Sequence, residues 1–369
     1  MVAHSTWSLQ GRKFEGMNGS RRLLILILFC MIQNQKVLSE YVQDGEELLP
    51  INDKVKEEVC TESVEKLPRL GSLYLPFAKD KDILLLIMIP TVLREKSGKP
   101  IDYLSRSLDS VVSQIVALSD RLQLHKIKVV VQNNEVEGNN SVFYENMQRF
   151  SNSPYVDFVE QQTTLPNPLP GRRDNGNNNR PGHRVRKQTR DVVSGMRFID
   201  LSYSYKYFLF MEDDFELCDH GLEAMLYLIN RATKRYESWI VIRASFGLNG
   251  ILFQEEDIAE LSKYLEKHQT RRPPDHLTTE WYAGETEESK EYVLQRTVVA
   301  FRYNILHHIG AISTLRKRSR RMEFPGCWHE LMPPVVFSVE SFDRQQCPMD
   351  DMWPCELENE VKQSLFGAV

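Results

Sequence analysis

The chain has 369 residues, 41% of them hydrophobic and 26% charged, with no internal repeat and no long low-complexity tract. That composition excludes a disordered or fibrous protein and is long enough for one large domain or two smaller ones. A net charge of -5 and a pI near 6.1 argue against nucleic acid as the main partner.

At the N-terminus, Arg21 and Arg22 precede the apolar run Leu23 to Ile32, after which the sequence turns polar at Gln33. The run is shorter than the roughly 20 apolar residues of a spanning helix. It has the size of a signal-peptide core, with cleavage after Ser39, and a type II signal anchor with the arginines on the cytosolic side is the competing reading. A buried core helix fits less well, because polar sequence lies on both sides. Signal peptide or anchor, the rest of the chain is sent into the secretory lumen. Of six cysteines, Cys30 lies in the apolar run. The remaining Cys60, Cys218, Cys327, Cys347 and Cys355 are odd in number, so at least one stays free or pairs outside the chain. Cys327, Cys347 and Cys355 cluster near the end and are the ones expected to form a disulfide. Asn139-Asn140-Ser141 is a glycosylation acceptor usable in a lumen.

Residues 33–80 are charged and weakly apolar and read as a stem. Asp82 to Pro90, DILLLIMIP, is a continuous apolar strand. A helix follows with Leu104, Leu108, Val111, Val112, Ile115 and Leu118 on one face. Lys126 to Asn134 is a second buried strand and 155–161 a short third. Strand, helix and strand in alternation imply an α/β sheet with parallel strands. Residues 165–190, rich in Pro, Gly, Asn and Arg, read as a long loop whose arginines suit a phosphate-bearing ligand. A solvated linker is the plainer alternative.

The segment from Arg190 to Ser204 reads as a helix leading into the strand KYFLFM at 206–211. Glu212, Asp213 and Asp214 then place three carboxylates where that strand leaves the core. Like charges so close raise one another's pKa and call for compensation. A divalent cation with oxygen ligands supplies it, whereas the bland alternative is a solvated turn whose acids favour the next helix. In open α/β sheets ligands bind outside the carboxyl ends of strands, which favours the site reading. A helix at 221–232, a strand at 238–245 and a helix at 254–268 complete the pattern.

These segments resemble the N-acetylglucosaminyltransferase IV family of glycosyltransferases. IMIPTVLRE (87–95) resembles its first strand and donor-site turn, RVRKQTRDV (184–192) the segment before its metal strand, and FMEDDFE (210–216) its metal motif. Residues 237–258 and FRYNILHHIGAISTL (301–315) resemble its acceptor-side core and closing His-Gly segment. The resemblance runs from about residue 82 to about residue 315 and implies a GT-A-type nucleotide-sugar-binding fold, a mostly parallel twisted sheet with helices on both faces. It implies a Golgi enzyme, type II in the membrane or secreted after cleavage, with 1–39 as signal or anchor, 40–80 as stem and 81–369 as catalytic domain. Such an enzyme moves GlcNAc from UDP-GlcNAc, β1,4-linked and with inversion, to the α1,3-mannose arm of N-glycans. Its partners are the nucleotide sugar, the glycoprotein acceptor and other glycosyltransferases.

By that resemblance Asp214 coordinates Mn²⁺, Asp213 meets the ribose or the metal shell, Glu212 acts through water, and His308 adds a late imidazole. His307 is read as packed or solvated. Thr91 and Arg94 meet the nucleotide, and Arg186, Lys187 and Gln188 the diphosphate or uracil, with plain surface solvation as the alternative. An inverting transfer needs a general base, and the paired acids Asp350 and Asp351 are the candidates, a helix cap or exposed turn being the alternative. The GalNAc transferase of GPI anchors shares the EDD and HIG segments, but its apolar membrane hairpin after the metal strand has no counterpart here. The family continues into a lectin-like domain, whereas this sequence stops at Val369. A luminal glycan-binding or regulatory homologue therefore stays open beside the enzyme.

Overall fold

The apolar run Ile83–Thr91 forms β1 and is buried on both faces, with Leu85, Ile87 and Ile89 on one and Leu86 and Met88 on the other. A strand apolar on both sides belongs among parallel neighbours covered by helices. The computed structural model describes residues 82–122, 126–160, 181–315, 324–331 and 341–355. The N-terminal apolar run, the stem, Cys30, Cys60, the 161–180 part of the Arg-rich loop and the basic run 316–321 lie outside the described residues. Among the described residues no helix is long and apolar enough to cross a membrane.

After β1 comes a small hairpin, β2 (Glu95–Lys96) and β3 (Lys99–Pro100). Then follow α1 (Leu104–Leu122), β4 (Ile127–Asn133), α2 (Ser141–Arg149), β5 (Val156–Glu160), α3 (His183–Ser202) and β6 (Tyr205–Phe210). The second half runs β7 (Phe215–Leu217), α4 (Gly221–Arg235), β8 (Trp239–Arg243), β9 (Ile251–Gln254), α5 (Glu255–His268), α6 (Pro274–Tyr282), α7 (Glu287–Val293), β10 (Thr297–Phe301), β11 (Leu306–His308) and β12 (Met352–Trp353).

Among the described residues, eight strands make one sheet in the order β12-β10-β8-β9-β6-β1-β4-β5. β1 is parallel to β4 and β6, β4 to β5, and β8 to β10. β9 is antiparallel to both β6 and β8, and β12 to β10. The sheet is thus mostly parallel, as expected. Strand side chains alternate between faces, so two apolar cores form. α1, α2 and α4 pack on one with Leu85, Ile87, Val129 and Leu209, and α3, α5 and α6 on the other with Leu86, Met88, Phe208 and Phe253.

Residues 183–190 correct the sequence reading, since they form the first turns of α3 rather than the end of a loop. Apolar spacing begins only at Val192. Before it the helix is anchored by polar groups, with Arg186, Thr189 and Arg190 buried and Lys187 Nζ donating to the Asn134 carbonyl at 2.8 Å. α3 lies so close to the sheet that a Cβ on Gly195 would fall 2.1 Å from both Gln132 Oε1 and Met88 Cε.

Among the described residues, two disulfides staple the periphery. Cys347 pairs with Cys355, as the late cluster implies, while Cys327 reaches back 109 residues to Cys218.

Candidate active site

β1 and β6 are neighbours from which the chain departs in opposite directions along the sheet, β1 toward β4 and β6 toward β8. The crevice at such a point is where α/β sheets take ligands. Thr91 and Arg94 emerge there from β1, and Glu212, Asp213 and Asp214 from β6.

The three acids have different partners. Asp213 accepts from Thr91 Oγ1 at 2.6 Å and from Arg94 Nη1 at 2.5 Å. Glu212 accepts from Asn249 Nδ2 at 2.9 Å, and its backbone N–H donates to Asn249 Oδ1 at 2.6 Å. Asp214 Oδ2 lies 3.3 Å from Arg94 Nη2 and 3.6 Å from His308 Nε2, while its Oδ1 is buried without a hydrogen-bond partner. Burial pushes Glu212 up to about 7, and the Asp214 charge adds to the shift. Burial likewise raises Asp213, against Arg94. It opposes the charge on Asp214 as well, but His308 and Arg94 outweigh it and hold that carboxyl below the ordinary range.

His308 arrives by strand pairing. β11 runs antiparallel to β7 with His308 opposite Phe215, and Ile309 N–H donates to the Asp214 carbonyl at 2.9 Å. Alternation along β11 leaves His307 exposed and turns His308 toward Asp214. Gly310 makes room, since a Cβ there would fall 2.2 Å from Asp214 Oδ2. We expect Gly310→Ala to displace that carboxylate and to lower stability by about 1–3 kcal/mol, measured by denaturant unfolding.

Other residues steady the turn, and the sequence reading missed them. Ser107 Oγ, on the polar side of α1, donates to the carbonyls of Asp213 and Phe215 at 2.8 and 2.5 Å. Ser110 Oγ accepts from Leu217 N–H at 2.9 Å, and Gln114 Oε1 from Leu222 N–H at 3.0 Å. The spacing 107, 110, 114 is a helical stripe, and that periodicity was the available signal. Tyr103 lies under Arg94, 5.7 Å from guanidinium carbon to ring centroid, and its hydroxyl accepts from Ala311 N–H. Nothing in the sequence marks Asn249.

The donor set fits a divalent ion shared with a ligand. Among the described residues no group of three or more His, Cys, Asp or Glu side chains is placed to hold a metal alone. Asp214, with its unpartnered Oδ1, and the His308 imidazole are donors that Mn²⁺ accepts. Hard cations in phosphate-transfer sites bind through one or two protein groups and complete their shell from phosphate and water. Arg94 leaves the acids partly uncompensated, one guanidinium against three carboxyl groups.

Arg186 is buried in α3, and Lys187 is held by Asn134 and by Asp191 Oδ2 at 2.8 Å. Gln188 is half-buried on the same helix. The first turn of α3 reaches the segment after His308, where Arg184 Nη1 donates to the Thr314 carbonyl at 3.4 Å. Asp350 and Asp351 are engaged elsewhere. Asp350 bonds Arg231 at 2.7 Å and Arg235 at 2.9 Å, and Asp351 bonds Arg231 and, at 3.0 Å, the Tyr227 hydroxyl. Burial opposes the charge on Asp350, but the two arginines outweigh it and hold its carboxyl low.

The cluster pins β12 to α4, an employment that argues against the general-base role expected of this pair. Removing one partner of a largely buried ion pair leaves the other uncompensated. Asp351→Asn is therefore expected to lower stability by about 1–3 kcal/mol, measured by denaturant unfolding.

No family model matches the chain, and no curated protein matches it. Among solved structures, a crystal structure of S. aureus TarS 1-349 aligns at TM-score 0.27 and 11% identity, covering 48% of this chain and 49% of that one. A second S. aureus TarS structure aligns at TM-score 0.29 and 10% identity, over 51% of this chain and 33% of that one. The chain thus spans about half or less of the TarS chains it matches. Likeness at this level carries no functional argument.

Proposed function

We propose that the protein is a UDP-sugar-dependent glycosyltransferase that moves GlcNAc from UDP-GlcNAc, β1,4-linked and with inversion, to the α1,3-mannose arm of N-glycans. The observation that carries the reading is the carboxyl-edge constellation of Asp213, Asp214, Arg94, Thr91 and His308. The resemblance of the same segments to the N-acetylglucosaminyltransferase IV family supports donor, linkage and acceptor. Two disulfides fit an oxidising compartment, which favours the Golgi lumen.

Asp214 and His308 would hold Mn²⁺, which when bound supplies Lewis-acid stabilisation of the leaving diphosphate. The chain's own groups position the donor and place charge around it. Asp213, in the turn after β6 and fixed by Thr91 and Arg94, presents a rigid acceptor for a ribose hydroxyl. Arg94 brings a permanent cation to the place where phosphate charge develops. Glu212, clamped by Asn249, sets the direction in which the turn leaves β6. Catalysis by such a site is positioning and electrostatics prepared before the sugar arrives.

The ion-paired state of Asp350 and Asp351 favours one second reading, a glycan-binding homologue without a base. Full-length protein with Mn²⁺, a panel of UDP-sugars and a biantennary N-glycan separates the two. UDP release that depends on acceptor and is greatest with UDP-GlcNAc supports the enzyme. Glycan binding with no UDP release supports the second reading.

A further inference from the structure

Phe324, 38% exposed, is the one exposed Phe, Tyr or Trp among the described residues. Its ring lies nearly parallel to Phe246, with centroids 5.0 Å apart and 9° between planes, and meets His308 edge-on at 4.6 Å. The rings therefore form a wall running from the imidazole beside Asp214 out to solvent. The wall is firmly built. Asn304 Nδ2 donates to the carbonyls of Pro325 and Gly326 at 2.8 and 3.1 Å, and its backbone carbonyl accepts from Trp328 N–H at 2.7 Å. Ser245 Oγ donates to Asn304 Oδ1 at 2.7 Å, which joins this segment to the β8–β9 connection carrying Phe246. The disulfide from Cys327 to Cys218 fastens it to the end of β7.

Side matters as much as rigidity. Thr91 and Arg94 stand on the β1 side of β6, whereas Phe246 stands on the β9 side. A nucleotide held by the first pair leaves the second side open to the other substrate. A pyranose offers a face of C–H groups with its hydroxyls around the rim. Such a face covers an aromatic ring while the rim stays hydrated, and the negative π-face attracts the polarised C–H groups. We propose that the outer face of Phe324, backed by the stacked ring of Phe246, is a platform for one pyranose ring of the acceptor glycan. The inference rests on the sugar-transfer reading above and assigns the acceptor to this side.

The test measures glycan affinity by saturation-transfer NMR, with an agalacto-biantennary N-glycan as probe, on the full-length wild type, Phe324→Ala and Phe324→Tyr. UDP with Mn²⁺ is titrated calorimetrically into the same three proteins. Phe324→Ala should weaken glycan binding about tenfold and Phe324→Tyr by no more than about twofold, and UDP affinity should change less than glycan affinity in both variants. No glycan binding by the wild type, or equal affinity in wild type and Phe324→Ala, overturns the platform. Absence of UDP binding in all three sinks the transferase reading instead, and the glycan contrast still decides the platform.

Discussion

Asp214→Ala should reduce Mn²⁺-dependent transfer by about a thousandfold or more, because a metal clamp on a leaving diphosphate is worth several kcal/mol. The side chain carries an orphaned buried oxygen and faces the only nearby imidazole among the described residues, so its loss removes both charge and direction. Folding should survive. Arg94 keeps its 2.5 Å contact to Asp213, and one buried carboxylate fewer relieves repulsion. Steady-state turnover on the refolded or native variant, alongside a melting curve, checks both halves. Turnover near wild type would remove the acid from the mechanism.

Arg94→Ala should be the most destabilising single change at the site. The guanidinium is nearly buried and faces both Asp213 and Asp214. Removing it leaves buried carboxyl groups without their counter-ion, which typically costs about 3–5 kcal/mol. For a domain of this size that is on the order of a 10 °C fall in melting temperature. Added Mn²⁺ should recover part of the loss, since an ion bound only by the folded state stabilises it by mass action. A melting curve that ignores both the substitution and the ion would show that Arg94 is not the acids' compensating charge.

The parts of the fold readable in advance were those with a strong local pattern. β1, β4 and β6 are short apolar runs, and α1 repeats Leu104, Leu108, Val111, Ile115 and Leu118 at helical spacing. The acidic turn was legible because a buried strand ends in Glu212-Asp213-Asp214, an arrangement that needs a reason. What stayed hidden depends on contacts distant in sequence. β9 is four residues between Gly250 and α5, too short to show a period, yet it sits between β6 and β8 and brings Asn249 to Glu212. Polar anchoring of Arg186, Lys187 and Thr189 concealed the start of α3. Asp350 and Asp351 looked like a catalytic pair because Arg231 and Arg235 lie more than a hundred residues earlier. The Cys218–Cys327 link spans a similar distance. Phe324 showed no pattern at all.

On the proposed function, the acids after β6 hold a divalent ion against a nucleotide diphosphate. Calorimetric titration of UDP into the wild type and Asp214→Ala, each with and without Mn²⁺, tests it without reference to acceptor or turnover. Tight binding is expected only for the wild type with Mn²⁺, about tenfold or more above the other three conditions. Equal UDP affinity in all four would mean that the turn binds no metal for the nucleotide, and that Arg94 alone balances its charge.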